Sequence, residues 1–139
     1  MKASRKINLD KLEQDLKEQL KNNPKLLLPG AHNITIAEKK YTQYLFGGTN
    51  QGGLIKGKLI TSELGYGISN YKEFDGKIKQ AVMEFPAKYK STIEFGDIYE
   101  INSVIAGLKD KKARVIIGAL VDRETSKVTS IYIKDVKGG

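Results

Sequence analysis

The chain has 139 residues, with 24 Lys and Arg against 16 Asp and Glu, one His, no Cys and no Trp. At 40% apolar and 29% charged residues it has ordinary globular composition, and it is long enough to fold as one basic domain without covalent staples. The missing cysteines exclude disulfide frameworks, thiolate zinc sites, iron–sulfur clusters and cysteine nucleophiles, and the single histidine excludes mechanisms that need two imidazoles.

A net charge of +8 attracts polyanions, so nucleic acid or an acidic protein is the expected partner. A solvated basic surface without an anionic ligand is the other reading of the same charge. Lysines outnumber arginines 21 to 3. Because Lys is a point charge and Arg a rigid fork, this balance favours contact with phosphate backbones over reading of base edges. Residues 1–7 are basic, but alternating charge and leucine follow them, which is not the pattern of an export signal. No segment is long and apolar enough to span a bilayer, so no membrane anchor is expected in this chain.

In chain order, Leu9, Leu12, Leu16 and Leu20 recur at helical spacing between a capping Asn8 and the breaker Pro24, which predicts an amphipathic surface helix. Thr35 to Glu38 has capping-box spacing, and Ile36, Tyr41, Tyr44 and Leu45 share one stripe, which predicts a second, shorter helix ending at Gly47-Gly48. Leu54, Ile55, Leu59, Ile60 and Leu64 predict a third helix, ending at Gly65. Ser69 is a candidate cap for a fourth, carried by Tyr71, Phe74, Ile78, Val82 and Phe85 up to Pro86. Beyond Pro86 the period changes from about 3.6 to 2. Strands are expected near 91–95, 97–105, 113–122 and 128–136, joined by short turns and therefore antiparallel. The expected fold class is α+β, with N-terminal helices packed on a C-terminal antiparallel sheet of about four strands. The chain reads as a single domain over 1–139: an N-terminal helical segment at 1–24, a helical part at 25–89 and a sheet at 90–136. Loose ends are expected before Asn8 and at Gly138-Gly139.

Phosphate-binding glycine motifs are absent, and the acidic residues are scattered, so a mechanism without metal or cofactor is expected. His32, in the turn-like stretch 29–33, is the only side chain whose ordinary pKa lies near neutrality and is a candidate acid or base, although an exposed loop histidine usually has no such role. Lys56 and Lys58 stand about 200° apart on a helix, so at most one faces the sheet. In the third strand Arg114, Ile116, Gly118 and Leu120 share one face. Simple alternation in the fourth puts Thr129, Ile131 and Ile133 on one face and Val128, Ser130 and Tyr132 on the other. Tyr99, Arg114, Thr129, Ser130 and Tyr132 are the polar or aromatic candidates for touching nucleic acid, while most of the seven tyrosines are expected simply to pack.

Four stretches together carry a resemblance: Leu28-Pro29-Gly30, Lys40-Tyr41-Thr42-Gln43-Tyr44-Leu45-Phe46, Gly53-x-x-Lys56-Gly57 through Leu64-Gly65, and Lys127-Val128-Thr129. They resemble the small toxin domains at the C-termini of bacterial polymorphic and contact-dependent growth-inhibition toxins, a group similar in organisation to the barnase–EndoU–colicin–RelE nucleases. Gly57 departs from the pattern, which has Ala there, as do Leu59-Ile60, where aromatics are common. The resemblance implies a ribonuclease, typically acting on tRNA, neutralised by a cognate immunity protein; the scattered carboxylates point to cleavage without metal, and the basic charge to an acidic partner. The resemblance also implies delivery from the producing cell as part of a larger secreted or surface-displayed toxin, with action in the target-cell cytoplasm. It carries over Lys56 and Thr129 but does not fix His32, Tyr99 or Arg114; on chemical grounds Lys56 is expected to stabilise phosphate charge, Thr129 to position the phosphate, and His32 or Tyr99 to move the proton. Lys58, Arg114, Ser130 and Tyr132 are then expected to bind the nucleic acid. Two other classes fit the charge: a non-catalytic RNA- or protein-binding module, and a metal-dependent DNase.

Overall fold

The computed structural model describes residues 8–134, so both expected loose ends and the last two residues of the expected strand 128–136 lie outside the described residues. Helix α1 (Leu9–Asn22) opens with the Asn8 side chain accepting from the Lys11 amide, and two 3₁₀ turns follow at Pro24–Leu26 and Ala31–Asn33. A single π-helical turn spans Tyr41–Leu45. Helices α2 (Gln51–Leu64) and α3 (Tyr71–Glu84) lead into strands β1 (Ala87–Ile93), β2 (Gly96–Ala106), β3 (Lys112–Asp122) and β4 (Thr125–Ile133). The strands pair antiparallel in chain order, β1-β2-β3-β4. The architecture is thus α+β, helices first and a meander last.

The helical periodicities of α1 and α3 are realised as read. Leu16 on α1 is buried, and Phe74, Ile78, Ala81 and Val82 of α3 enter one core with Ile60 and Leu64 of α2. The sheet presents Ile101, Val115, Ile117, Ala119, Val128, Ile131 and Ile133 to this core. Lys112 ties α1 to β3 through Asp10 at 2.6 Å and Glu13 at 2.8 Å.

Four local expectations are corrected. Helix α2 starts at Gln51, three residues early, because Asn50 accepts the Gly53 amide at 2.9 Å and caps it. The cap of α3 is Asn70, not Ser69, and its side chain is spent on the preceding loop, accepting from Gly67 and donating to the Gly65 carbonyl. Strand β1 starts at Ala87, four residues early. It is an edge strand exposed from Lys88 onward, so burial imposes no alternation that a pattern search could find.

The second predicted helix is replaced by an extended segment and the π turn. Thr35 does not cap anything: its backbone pairs in parallel with β4, its amide donating to the Ser126 carbonyl at 3.0 Å and its carbonyl accepting from Val128 at 2.9 Å. The open edge of β4 supplies two ladder bonds that a short helix start would forgo. Along this edge the chain is carried from Thr35 to Lys40.

Candidate nucleic-acid interface on the edge of the sheet

The site grows from a β-bulge. Gly118 of β3 pairs with Ser130, but the next residue, Ala119, pairs with Val128, so Thr129 is an extra residue on β4. Simple alternation placed Thr129 with Ile131 and Ile133. The bulge instead leaves Val128, Ile131 and Ile133 buried while Thr129 is exposed and freed from the ladder. Gly118 completes the arrangement. A Cβ there would lie 2.3 Å from Ser130 Oγ and 3.2 Å from Thr129 Oγ1, so the two hydroxyls converge over a position with no side chain.

Cross-strand register extends this face. Residues opposite one another point the same way, so Asn102, Ile116 and Tyr132 form one rung, and Glu100, Gly118 and Ser130 the next. Arg114 shares the face by its spacing of two from Ile116 and donates from Nη2 to Asn102 Oδ1 at 3.0 Å. Burial holds the Tyr132 phenol above its ordinary pKa, Glu100 pushes the same way and Arg114 opposes them.

The other wall comes from α2 and the π turn. Two glycines one helical turn apart bring these elements together: a Cβ on Gly53 would meet the Tyr44 carbonyl at 2.4 Å, and one on Gly57 the Leu45 carbonyl at 1.7 Å. No alanine fits at position 57 without displacing this backbone. This contact sets the Tyr44 ring beside Lys56, whose Nζ lies 5.7 Å from the Tyr44 centroid, 5.9 Å from that of Tyr132 and 3.5 Å from the Tyr44 hydroxyl. Lys40 approaches the same Tyr44 ring at 5.3 Å and donates to the Thr129 carbonyl at 2.7 Å, the group freed by the bulge. Burial lowers the Lys40 pKa, Tyr44 works against that and Lys56 adds to it.

Of the residues singled out from sequence, Lys56, Thr129, Ser130, Tyr132 and Arg114 therefore gather on one polar face and its rim. Lys58 is exposed about 200° round α2 from a position two residues away. His32 is exposed in the Ala31–Asn33 turn, beside the start of β4, where Ser126 Oγ donates to the Gly30 carbonyl at 2.8 Å. Tyr99 is opposite Ala119, hence on the core face, and its ring meets Tyr89 edge-on at 5.8 Å. Neither His32 nor Tyr99 joins the cluster. Sequence reasoning did not single out Lys40, Tyr44, Glu100 or Asn102 as site residues. Lys40 and Tyr44 lay inside a quoted motif, whereas Glu100 and Asn102 became visible only through register. Among the described residues no group of three or more His, Cys, Asp or Glu is arranged to hold a metal ion. Nor is any helix among them long and apolar enough to cross a membrane.

The fold and site define an α+β domain with a cationic, tyrosine-lined sheet edge. The chain belongs to a family described as a domain of unknown function (DUF6883), whose model matches residues 27–135. No curated protein and no solved structure matches it. Every residue of the cluster lies within the matched span, and α1 lies before it.

Proposed function

We propose that this domain is an antibacterial toxin ribonuclease that cleaves tRNA by metal-independent transphosphorylation. The observation that carries the reading is the gathering of Lys56, Arg114, Thr129, Ser130 and Tyr132 from three elements onto one face of a chain with a net charge of +8. The resemblance to toxin domains supports it independently.

In such a reaction the substrate's 2′-oxygen attacks the adjacent phosphorus, the bond to the 5′-oxygen breaks, and a 2′,3′-cyclic phosphate and a free 5′-hydroxyl result. The protein must accept one proton, donate another and stabilise the charge that builds up on phosphorus-bound oxygen. In this proposal Lys56 and Arg114 supply the positive charge, and the hydroxyls of Thr129 and Ser130 donate to the phosphate oxygens. Tyr132, held protonated by burial and by Glu100, delivers the proton to the leaving 5′-oxygen. Glu100, one rung away on the same face, accepts the proton of the 2′-hydroxyl. The proton-moving role expected from the sequence for His32 or Tyr99 passes in this proposal to Tyr132 and Glu100.

An acidic immunity protein is the partner this reading requires, since opposite charge speeds the encounter that protects the producer. Delivery within a larger toxin and action in the target-cell cytoplasm belong to the same proposal. The test is incubation of the purified chain with total tRNA and with plasmid DNA, with and without EDTA, followed by gel analysis. Cleaved tRNA in EDTA is the expected result, with Lys56→Ala slower by roughly 100-fold or more. DNA cleavage lost on chelation would replace the reading with a metal-dependent DNase, and intact RNA in a retarded band would replace it with a binding module.

A further inference from the structure

We propose that Lys40 and Lys56 act as a two-pronged clamp on a single RNA phosphate, with the carbonyl freed by the Thr129 bulge as the post that fixes Lys40. The inference rests on the RNA reading of the same site and adds a binding group to it. Both ammonium groups approach one ring, that of Tyr44, at 5.3 and 5.7 Å, and Lys56 reaches the Tyr132 ring as well. A carbonyl is neutral, so the 2.7 Å bond from Lys40 to Thr129 orients the charge without cancelling it and leaves two N–H donors for a ligand.

Among the described residues ion pairs neutralise only four lysines. Lys11, Lys17, Lys79 and Lys112 each lie within 4.0 Å of a carboxylate. Among the described residues Lys40 and Lys56 make no such pair, although both are partly withdrawn from solvent. Partial burial works against the charge on Lys40, and Lys56 adds to that cost, which an anion held by both would remove. The aromatic walls contribute cation–π attraction, which holds the lysines in place but brings no net negative charge. A phosphate of the RNA backbone supplies what the protein leaves out. The competing role for Lys40 is a structural one, pinning the 35–46 segment to β4.

The two roles separate by binding of a 2′-O-methylated RNA oligonucleotide, which has no free 2′-hydroxyl to attack and so reports binding alone. Affinity is measured by fluorescence anisotropy over a range of salt concentrations, with thermal melting run in parallel. Lys40→Met, which keeps the apolar stem, and Lys56→Met are each expected to weaken binding by roughly fivefold or more. Because one phosphate is shared, the double variant is expected to lose less than the product of the two. Its slope of log K against log salt should fall by about 0.7, the value for one phosphate on a single strand. Lys40→Arg should restore binding and slope. Unchanged binding in Lys40→Met, with a lowered melting temperature, would leave only the structural pin. Multiplicative losses with a slope change of about 1.4 would mean two separate phosphates and would also overturn the clamp. Lys40-dependent binding by a protein that leaves tRNA intact would uphold the clamp and remove the ribonuclease reading. Cleavage of tRNA alongside Lys40-independent binding would do the reverse.

Discussion

At the scale of single residues, Gly118 and Thr129 determine where the polar groups stand. The atom that a Cβ on Gly118 would press most closely is Ser130 Oγ, at 2.3 Å, and a serine hydroxyl turns aside easily. Gly118→Ala should therefore preserve the fold, changing stability by about 1 kcal/mol or less in urea titration, while displacing the hydroxyls and slowing tRNA cleavage by roughly tenfold or more. Equal losses of stability and activity would show that the empty position serves packing instead. Tyr132→Phe is the complementary change, because it keeps the ring over Lys56 and removes only the phenolic proton. Its cleavage rate should drop by roughly 100-fold. In the parent, burial and Glu100 hold the phenol protonated beyond its ordinary value of 10.0, so the part of the alkaline limb that Tyr132→Phe abolishes should lie above that value. An alkaline limb that persists unchanged in Tyr132→Phe would rule the tyrosine out as the acid.

At the scale of elements, the contact between α2 and the π turn decides whether the lysine wall exists. The clash at Gly57 is with the Leu45 carbonyl, part of the backbone, which cannot rotate away as a serine hydroxyl can. Gly57→Ala should destabilise the chain by about 2–4 kcal/mol in urea titration despite the better helix propensity of alanine. A stabilised variant would mean the two elements are not in register as described. The same contact shows what the sequence could and could not reveal. Helices α1 and α3 were legible because one apolar stripe faces one core in each. The π turn was not, since its Tyr41, Tyr44 and Leu45 fit a helical stripe equally well and only the pairing of Thr35 with β4 rules the longer helix out. The bulge was hidden for a related reason: from Val128 to Ile133 the apolar residues fit either register, so nothing local marks Thr129 as the inserted one. Arg114, Ser130 and Tyr132 were recoverable from period two, but Glu100 and Asn102 joined them only through cross-strand pairing.

At the scale of the whole molecule, titration behaviour should be dominated by tyrosines. Burial raises the pKa of Tyr41, and Asp75, which accepts from its hydroxyl at 2.9 Å, raises it further. Burial and Glu73 raise that of Tyr66, and the hydrogen bond to Glu38 raises that of Tyr71. A raised value in the folded state gives stability that is complete below the unfolded value of 10.0 and is lost as pH climbs past it. Lys40 acts in the opposite sense. Its lowered value makes the charged form a cost, relieved as pH rises toward the ordinary 10.5. Since four buried or bonded phenols, Tyr132 included, act against Lys40, and Lys17 and Lys112, raised by their carboxylate partners, act with the phenols, the urea midpoint should fall between pH 9.5 and about 11.5, and Tyr41→Phe should flatten that fall. A midpoint that rises over this interval would contradict the described burial of Tyr41.

The strand order, identical to the chain order, also bears on when the parts of the molecule come together. Each strand pair is closed by a short loop, so the meander can zip up from local hairpins with little loop-closure entropy. The bonds between Thr35 and β4 instead join positions 91 residues apart in the case of Ser126, and they hang on one strand edge. That segment is expected to dock last and to detach first. Because it carries Lys40, a backbone opening there would dismantle the lysine wall while the core strands stayed intact. In native-state hydrogen exchange the amides of Thr35 and Val128 should accordingly exchange through a low-energy local opening, and that of Ile117 only through global unfolding.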